Sequence, residues 1–243
     1  MKTLHIYIFI ISFLGGVFTV FSQEENTSTQ KPDSIYYQEK YGVRIGFDLS
    51  KPVRALLDNN YSGFEVKGDF RLTNRFFPAI ELGYEDFDFE ENNFKANAAG
   101  AFTKLGVNYN AYENWTGMQN EIFVGLRYGF STFSETLYHH TIYDLDHYFP
   151  PDYKENKQKF NSLNAHWVEL QVGIKAEILN NLYLGLHAEV KRIITEKQPD
   201  SFENLWIPGY NRSYADSPFG VGWGYSISYL IPILKKDKIE RLK

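Results

Sequence analysis

Apolar and polar residues alternate along eight stretches of this chain. Over residues 41–49, Tyr41, Val43, Ile45, Phe47 and Leu49 fall on one face, and Gly42, Arg44, Gly46 and Asp48 on the other. A period of two is the mark of a strand with one apolar and one polar side. The pattern returns at 63–72, 79–85, 99–109, 121–131, 166–178, 182–191 and 219–231. The connections alternate as well. Segments 73–77 and 179–181 are short and 110–120 is intermediate, whereas 50–62, 86–97, 132–165 and 193–218 are long. Tight turns at one end and extended loops at the other predict an all-β fold, an eight-stranded antiparallel transmembrane β-barrel. Ten strands result if part of 132–165 forms a hairpin. After the first strand, Ser50 as a cap, Pro52 in the first turn and the apolar Val53, Leu56 and Leu57 allow a short helix over the barrel mouth, with ordinary loop structure as the equal alternative.

The polar faces carry charges at strand spacing: Arg44, Asp48, Glu65, Lys67, Asp69, Arg71, Glu81, Lys104, Glu121, Arg127, Glu169, Lys175, Glu189 and Lys191. On a membrane barrel these point inward, where eight strands leave room only for side chains. An unpaired buried charge is costly, so mixed signs predict a lumen plugged by salt bridges. The alternative is a soluble, lipocalin-like secreted barrel, which turns its apolar faces inward around an apolar ligand.

The chain's start favours export. Lys2, an apolar core over 6–21 and Val20 and Ser22 at the −3 and −1 positions predict a signal peptide over 1–22. Residues 23–39 are polar without apolar period and read as a flexible periplasmic leader. Residues 40–232 form the barrel and 233–243 a basic periplasmic tail. Without cysteine there is no disulfide framework. Loss of Lys2 lowers Lys+Arg from 25 to 24 against 30 Asp+Glu, a net charge of −6, which argues against nucleic acid. Aromatic residues reach 17%, as interface belts require. Tyr41, Phe70, Phe77, Tyr109, Trp115 and Tyr229 would ring the periplasmic side, and Phe64, Tyr84, Phe130 and Phe219 the outer side.

Candidate chemistry is sparse. His139, His140, Asp144, Asp146 and His147 are competent metal ligands in the loop 137–153, but their spacing matches no ordered site. The expectation is therefore no metal and no cofactor, and a polar, Tyr-rich loop that contacts sugar, protein or lipopolysaccharide. Trp206 and Tyr210, in the last long loop, either bind an extracellular ligand as exposed aromatics or pack on the neighbouring loops. A lipid-modifying enzyme would use His166 or His187 with Ser131 or Ser134. No motif joins them, so no catalytic residue is assigned.

Six phrases spread over 41–232, "YGVRIGFDLSKPVRALLD", "YSGFEVKGDFRL", "WTGMQNEIFVGLRYGFSTFS", "LNAHWVELQVGIKAE", "NNLYLGLHAEVKR" and "FGVGWGYSISYLIP", resemble an uncharacterised family of secreted Bacteroidota proteins. That family is a domain of unknown function related to small outer-membrane β-barrels. The resemblance implies fold and location, and no activity. The expectation is a monomeric, non-enzymatic barrel of the cell outer membrane, in contact with outer-membrane lipid and lipopolysaccharide.

Overall fold

Strand structure continues further along the chain than the apolar alternation suggests. The computed structural model describes residues 34–91, 94–114, 118–142, 152–154, 157–199, 203–213 and 216–241. The expected signal peptide lies outside them. Two compact units divide the chain, residues 36–239 and residues 1–35 with 240–243. Of the second, residues 34, 35, 240 and 241 are described, with strand backbone.

The elements run β1 (Ser34–Asp48), α1 (Ser50–Leu57), β2 (Tyr61–Phe70), β3 (Phe76–Glu91), β4 (Phe94–Asn110), β5 (Glu121–Ile142), β6 (Asp152–Lys154), β7 (Gln158–Leu179), β8 (Leu182–Glu196), β9 (Trp206–Ile207), β10 (Asn211–Arg212) and β11 (Phe219–Arg241). Strands β1, β2, β3, β4, β5, β7, β8 and β11 hydrogen-bond in that order, and β11 pairs with β1. The wall is a closed antiparallel barrel of eight strands. Where β1 and β11 pair, closure removes the free edges an open sheet would present. Strand β6 only extends the rim, pairing with the last residues of β5. Strands β9 and β10 pair with each other. Among the described residues, the long segment 132–165 adds no wall hairpin. Residues 34–39 and 233–241, expected as leader and tail, carry strand backbone instead.

Over the middle of the wall the apolar face points outward. Ile45, Phe47, Ile80, Leu82, Leu126, Leu170, Leu186 and Ile231 are all exposed, while Arg44, Glu81, Arg127, Glu169 and Lys191 are buried. On β3 this band runs from Phe76 to Tyr84, about nine residues, close to one crossing of a bilayer by a tilted strand. Inside this band the inward side chains are largely charged, with Phe77, Phe123 and Tyr183 buried among them, which is not the apolar lining of a lipocalin-like barrel. Phe77 departs from its expected place in the periplasmic-side aromatic belt. It is buried and faces the guanidinium of Arg44 at 5.7 Å.

Beyond Tyr84 the polarity inverts although the strand continues. Asp86, Asp88 and Glu90 point out, and Phe87 and Phe89 point in. On β4, Ala96, Ala98 and Phe102 are buried while Lys95 and Asn97 face out. On β7 the inward residues become Leu163, Ala165 and Trp167. The long-loop end is thus a water-exposed barrel with a small apolar core, stacked on a lipid-style barrel with a charged core.

Candidate functional site

Among the described residues, chemistry-bearing side chains gather in the lumen, in three layers. Nearest the short turns, Arg44 lies between Asp69 (Nη2 to Oδ1 2.8 Å) and Glu121. Lys175 also holds Asp69, at 2.5 Å, and lies 3.7 Å from Glu121. The planar guanidinium can donate along two edges at once. It does so with only 5% of Arg44 exposed, under the ring of Tyr183 at 4.8 Å. Below it, Arg71 meets Glu39 at 3.4 Å.

In the middle layer Lys104 meets three carboxylates, Glu169 at 3.3 Å, Glu81 at 3.4 Å and Glu189 at 3.6 Å. Arg127 donates from Nε to Glu81 at 2.9 Å and from Nη2 to Asn108 at 2.7 Å. Gln171 donates to Glu169 at 2.5 Å. These residues come from β3, β4, β5, β7 and β8, so the layer ties opposite walls together. Register places them: Glu81 lies opposite Lys104, and Arg127 opposite Glu169. Cross-strand pairs of opposite sign are favourable units of a sheet.

The third layer reaches the long-loop end. Lys67 bridges Asp48 at 2.9 Å and Glu65 at 3.2 Å, and its Nζ is 3.1 Å from Nε2 of His187. Lys191 meets Glu189 at 2.7 Å. Lys51 of α1 pairs with Glu85 and lies 3.5 Å from Glu65. The helix starts one position away from its expected cap. Leu49 is the N-cap residue and offers no side chain, and the Asp48 carboxylate accepts the Ser50 N–H at 2.9 Å.

Of the two alternatives for Trp206 and Tyr210, exposure to an outside ligand does not hold. Trp206 and Tyr210 are not exposed loop aromatics. They are 5% and 1% exposed, because the segment between β8 and β11 folds back into the barrel mouth. Its turn passes through Gly209, whose φ of +81° suits glycine. The Trp206 indole N–H and the Gly209 N–H both donate to Glu85 Oε2, at 3.2 and 3.0 Å. Lys191 donates to the Gly209 and Tyr210 carbonyls, at 2.9 and 3.3 Å. Burying two aromatic rings on Phe87, Phe89 and Trp167 outweighs leaving them in water. The legible signal was Pro208–Gly209 between aromatics, a turn motif flanked by core residues.

Of the histidine-rich loop, Asp144, Asp146 and His147 lie outside the described residues. The backbone of His140 is described, and His139 sits near the end of β5. Among the described residues no group of three His, Asp or Glu is placed to hold a metal. His166 and His187 do not converge. His166 is on the outer face, beside the Tyr128 hydroxyl at 2.7 Å and the Phe130 ring, while His187 is in the lumen. Ser131 is buried and donates to the Ala101 carbonyl at 3.2 Å.

Glu135, beyond the apolar band, was not singled out from the sequence. It is buried, and its Oε1 accepts the N–H groups of Leu205 at 3.0 Å and Trp206 at 3.4 Å. Oε2 has no hydrogen-bond partner among the described residues. Burial pushes its carboxyl up to about 7, opposed by those two N–H groups and helped by the charge of Glu196. A carboxyl raised in the folded state binds its proton more tightly there than when unfolded. Its contribution to stability is therefore full below pH 4.5 and is lost as the pH rises from there through 7. The docked hairpin should loosen over that window, seen as faster amide exchange at Leu205 and Trp206. Glu135→Gln should flatten the dependence, and an unchanged profile in that variant would assign it to another group.

A comparison with curated proteins finds no match. Among solved structures, that of Neisserial surface protein A (NspA) is similar over 82% of this chain and 99% of that one, at 9% identity and a TM-score of 0.32. Residues 3–236 match the family model described as a domain of unknown function (DUF6048), and the chain belongs to that family.

Proposed function

We propose that this chain is a small, non-enzymatic outer-membrane β-barrel, structural or binding partners at its long-loop end, with a lumen closed to solutes. In this reading residues 1–22 are a cleaved export signal. The barrel is a monomer in contact with outer-membrane lipid and lipopolysaccharide. The observation that carries it is the belt: eight closed strands turn Leu, Ile, Val and Phe outward around a charged interior. In water such a surface would be a very large exposed apolar patch, far beyond what soluble monomers carry. In a bilayer it is the ordinary outside of a barrel.

Fractionation tests the location, and an unheated sample on an SDS gel tests the barrel. The protein should sediment with outer membranes and migrate differently before and after boiling. Recovery wholly from soluble periplasm would sink the proposal. A substitution sharpens it. Leu170 is half exposed at mid-belt, opposite Leu126 and Val190. Leu170→Lys should destabilise the barrel in lipid vesicles by about 2–4 kcal/mol, the cost of a charge near the bilayer midplane. On a soluble barrel the same change would be neutral or would improve solubility.

A further inference from the structure

The wall is incomplete at one place. Strand β1 ends at Asp48, and the Leu49 N–H donates to the Tyr225 carbonyl at 2.8 Å. The chain then leaves the sheet as α1. Because β1 and β11 run antiparallel, the β11 residues from Phe219 to about Trp223 lie past the end of β1. They keep β8 on their other side, in register from Arg192 opposite Phe219. Strand β2 has the same vacancy. Its pairing with β1 stops at Val66 opposite Phe47, while Tyr61–Glu65 continue to pair with β3. Between these two edges stands α1, packed against β2. Between α1 and β11 lies a cavity of about 370 Å³.

The lining of that cavity has two chemistries. Its rim is apolar: Val53 and Leu57 from α1, and Val221 and Trp223 from β11. Val221 is 76% exposed, Trp223 73% and Leu57 83%, and Leu56 beside it is equally exposed. The β11 residues continue the outward apolar face of Tyr225 and Ile227, so the rim merges with the belt. Its depth is charged, with Lys51, Lys104 and Arg54 against Asp48, Glu65 and Glu189, and the His187 imidazole. The volume is in the range of small-molecule sites, about 300–1,000 Å³.

We propose that this gap is a lateral portal that takes a bilayer phospholipid with a zwitterionic, phosphoethanolamine-type headgroup. The inference rests on the membrane reading above. The acyl chain stays in the bilayer against Val53, Leu57, Val221 and Trp223. The headgroup enters the lumen sideways, its phosphate towards Lys51 and Arg54 and its ammonium towards Asp48 and Glu65. Three cations and three carboxylates line the depth, so a headgroup of both signs is matched, whereas a singly charged one leaves an excess that burial penalises.

The test uses the full barrel in dodecyl maltoside micelles with equal amounts of lysophosphatidylethanolamine and lysophosphatidylglycerol, read by native mass spectrometry. One lysophosphatidylethanolamine should remain on each barrel, with the anionic lipid retained about tenfold less. Val53→Trp, which fills the mouth, should reduce retention by about tenfold or more, and Val53→Ala should preserve it. Heat-dependent gel migration establishes that each variant is folded. If Val53→Trp does not fold, Leu57→Trp, at an exposed helix position on the same rim, replaces it. Equal retention of both lipids, no retention by the wild type, or unchanged retention in a folded blocking variant would overturn the proposal. A barrel that fractionates with membranes yet retains no lipid loses the portal alone. A protein found in soluble periplasm loses the membrane reading first.

Discussion

Lys104→Met should cost the folded barrel about 3–5 kcal/mol, the penalty for removing one partner of a buried ion network. Lys104 is 2% exposed and is shared by Glu81, Glu169 and Glu189. The three do not suffer alike. Glu81 keeps Arg127, and Glu189 keeps Lys191. Glu169 loses its one ion pair and keeps as hydrogen-bond donors the Gln171 amide and the Trp167 indole N–H at 3.3 Å, with the charge of Lys191 acting from further off. A carboxylate so placed must stay charged with a weakened counter-charge or take up a proton. Adding Glu169→Gln to Lys104→Met should therefore recover much of the loss, which a simple packing defect would not do. Urea unfolding in vesicles measures both. A single variant within about 0.5 kcal/mol of wild type would show that Lys104 is solvated or replaceable.

Much of this was readable from the sequence where one rule held throughout. From 41 to 49, from 79 to 85 and from 166 to 178, apolar positions keep one parity, and strand, face and inward charge follow from it. The reading failed where parity changed. At Tyr84–Asp86 the outward residues turn from apolar to acidic while Phe87 and Phe89 take the inward side. Periodicity alone reports this as the end of a strand, although the backbone ladder runs on to Glu91 opposite Phe94. The polarity of the outward face changes while the backbone hydrogen bonding stays the same. The same inversion on β4 and β7 hid the small apolar core at the long-loop end, and so hid what covers it. Trp206 and Tyr210 looked like loop aromatics because the chain around them is loop. That they fold inward depends on Glu85 and Lys191, which are distant in sequence. The gap beside α1 was also invisible, since it depends on where β1 ends relative to β11.

Trp206→Ala is the second large effect, about 3–5 kcal/mol for truncating a buried Trp, and where that loss appears is informative. Trp206 packs on Phe87 at 4.7 Å between ring centroids, lies under the Arg54 guanidinium at 4.9 Å and donates to Glu85. It anchors the inward hairpin from one side, and Tyr210, whose hydroxyl donates to the Pro218 carbonyl at 2.9 Å, anchors it from the other. Neither residue belongs to the wall. Losing Trp206 should open the hairpin as a local unit, with protease cleavage between β8 and β11 at unchanged heat-dependent migration of the barrel. Planar-bilayer conductance should stay absent even so. Beneath the hairpin the Lys104 and Arg44 layers remain in place, and the interior of eight strands is about wide enough for side chains to fill. A large, stable conductance in Trp206→Ala would move the seal from the charges to the hairpin. Large conductance already in the wild type would contradict the closed lumen altogether.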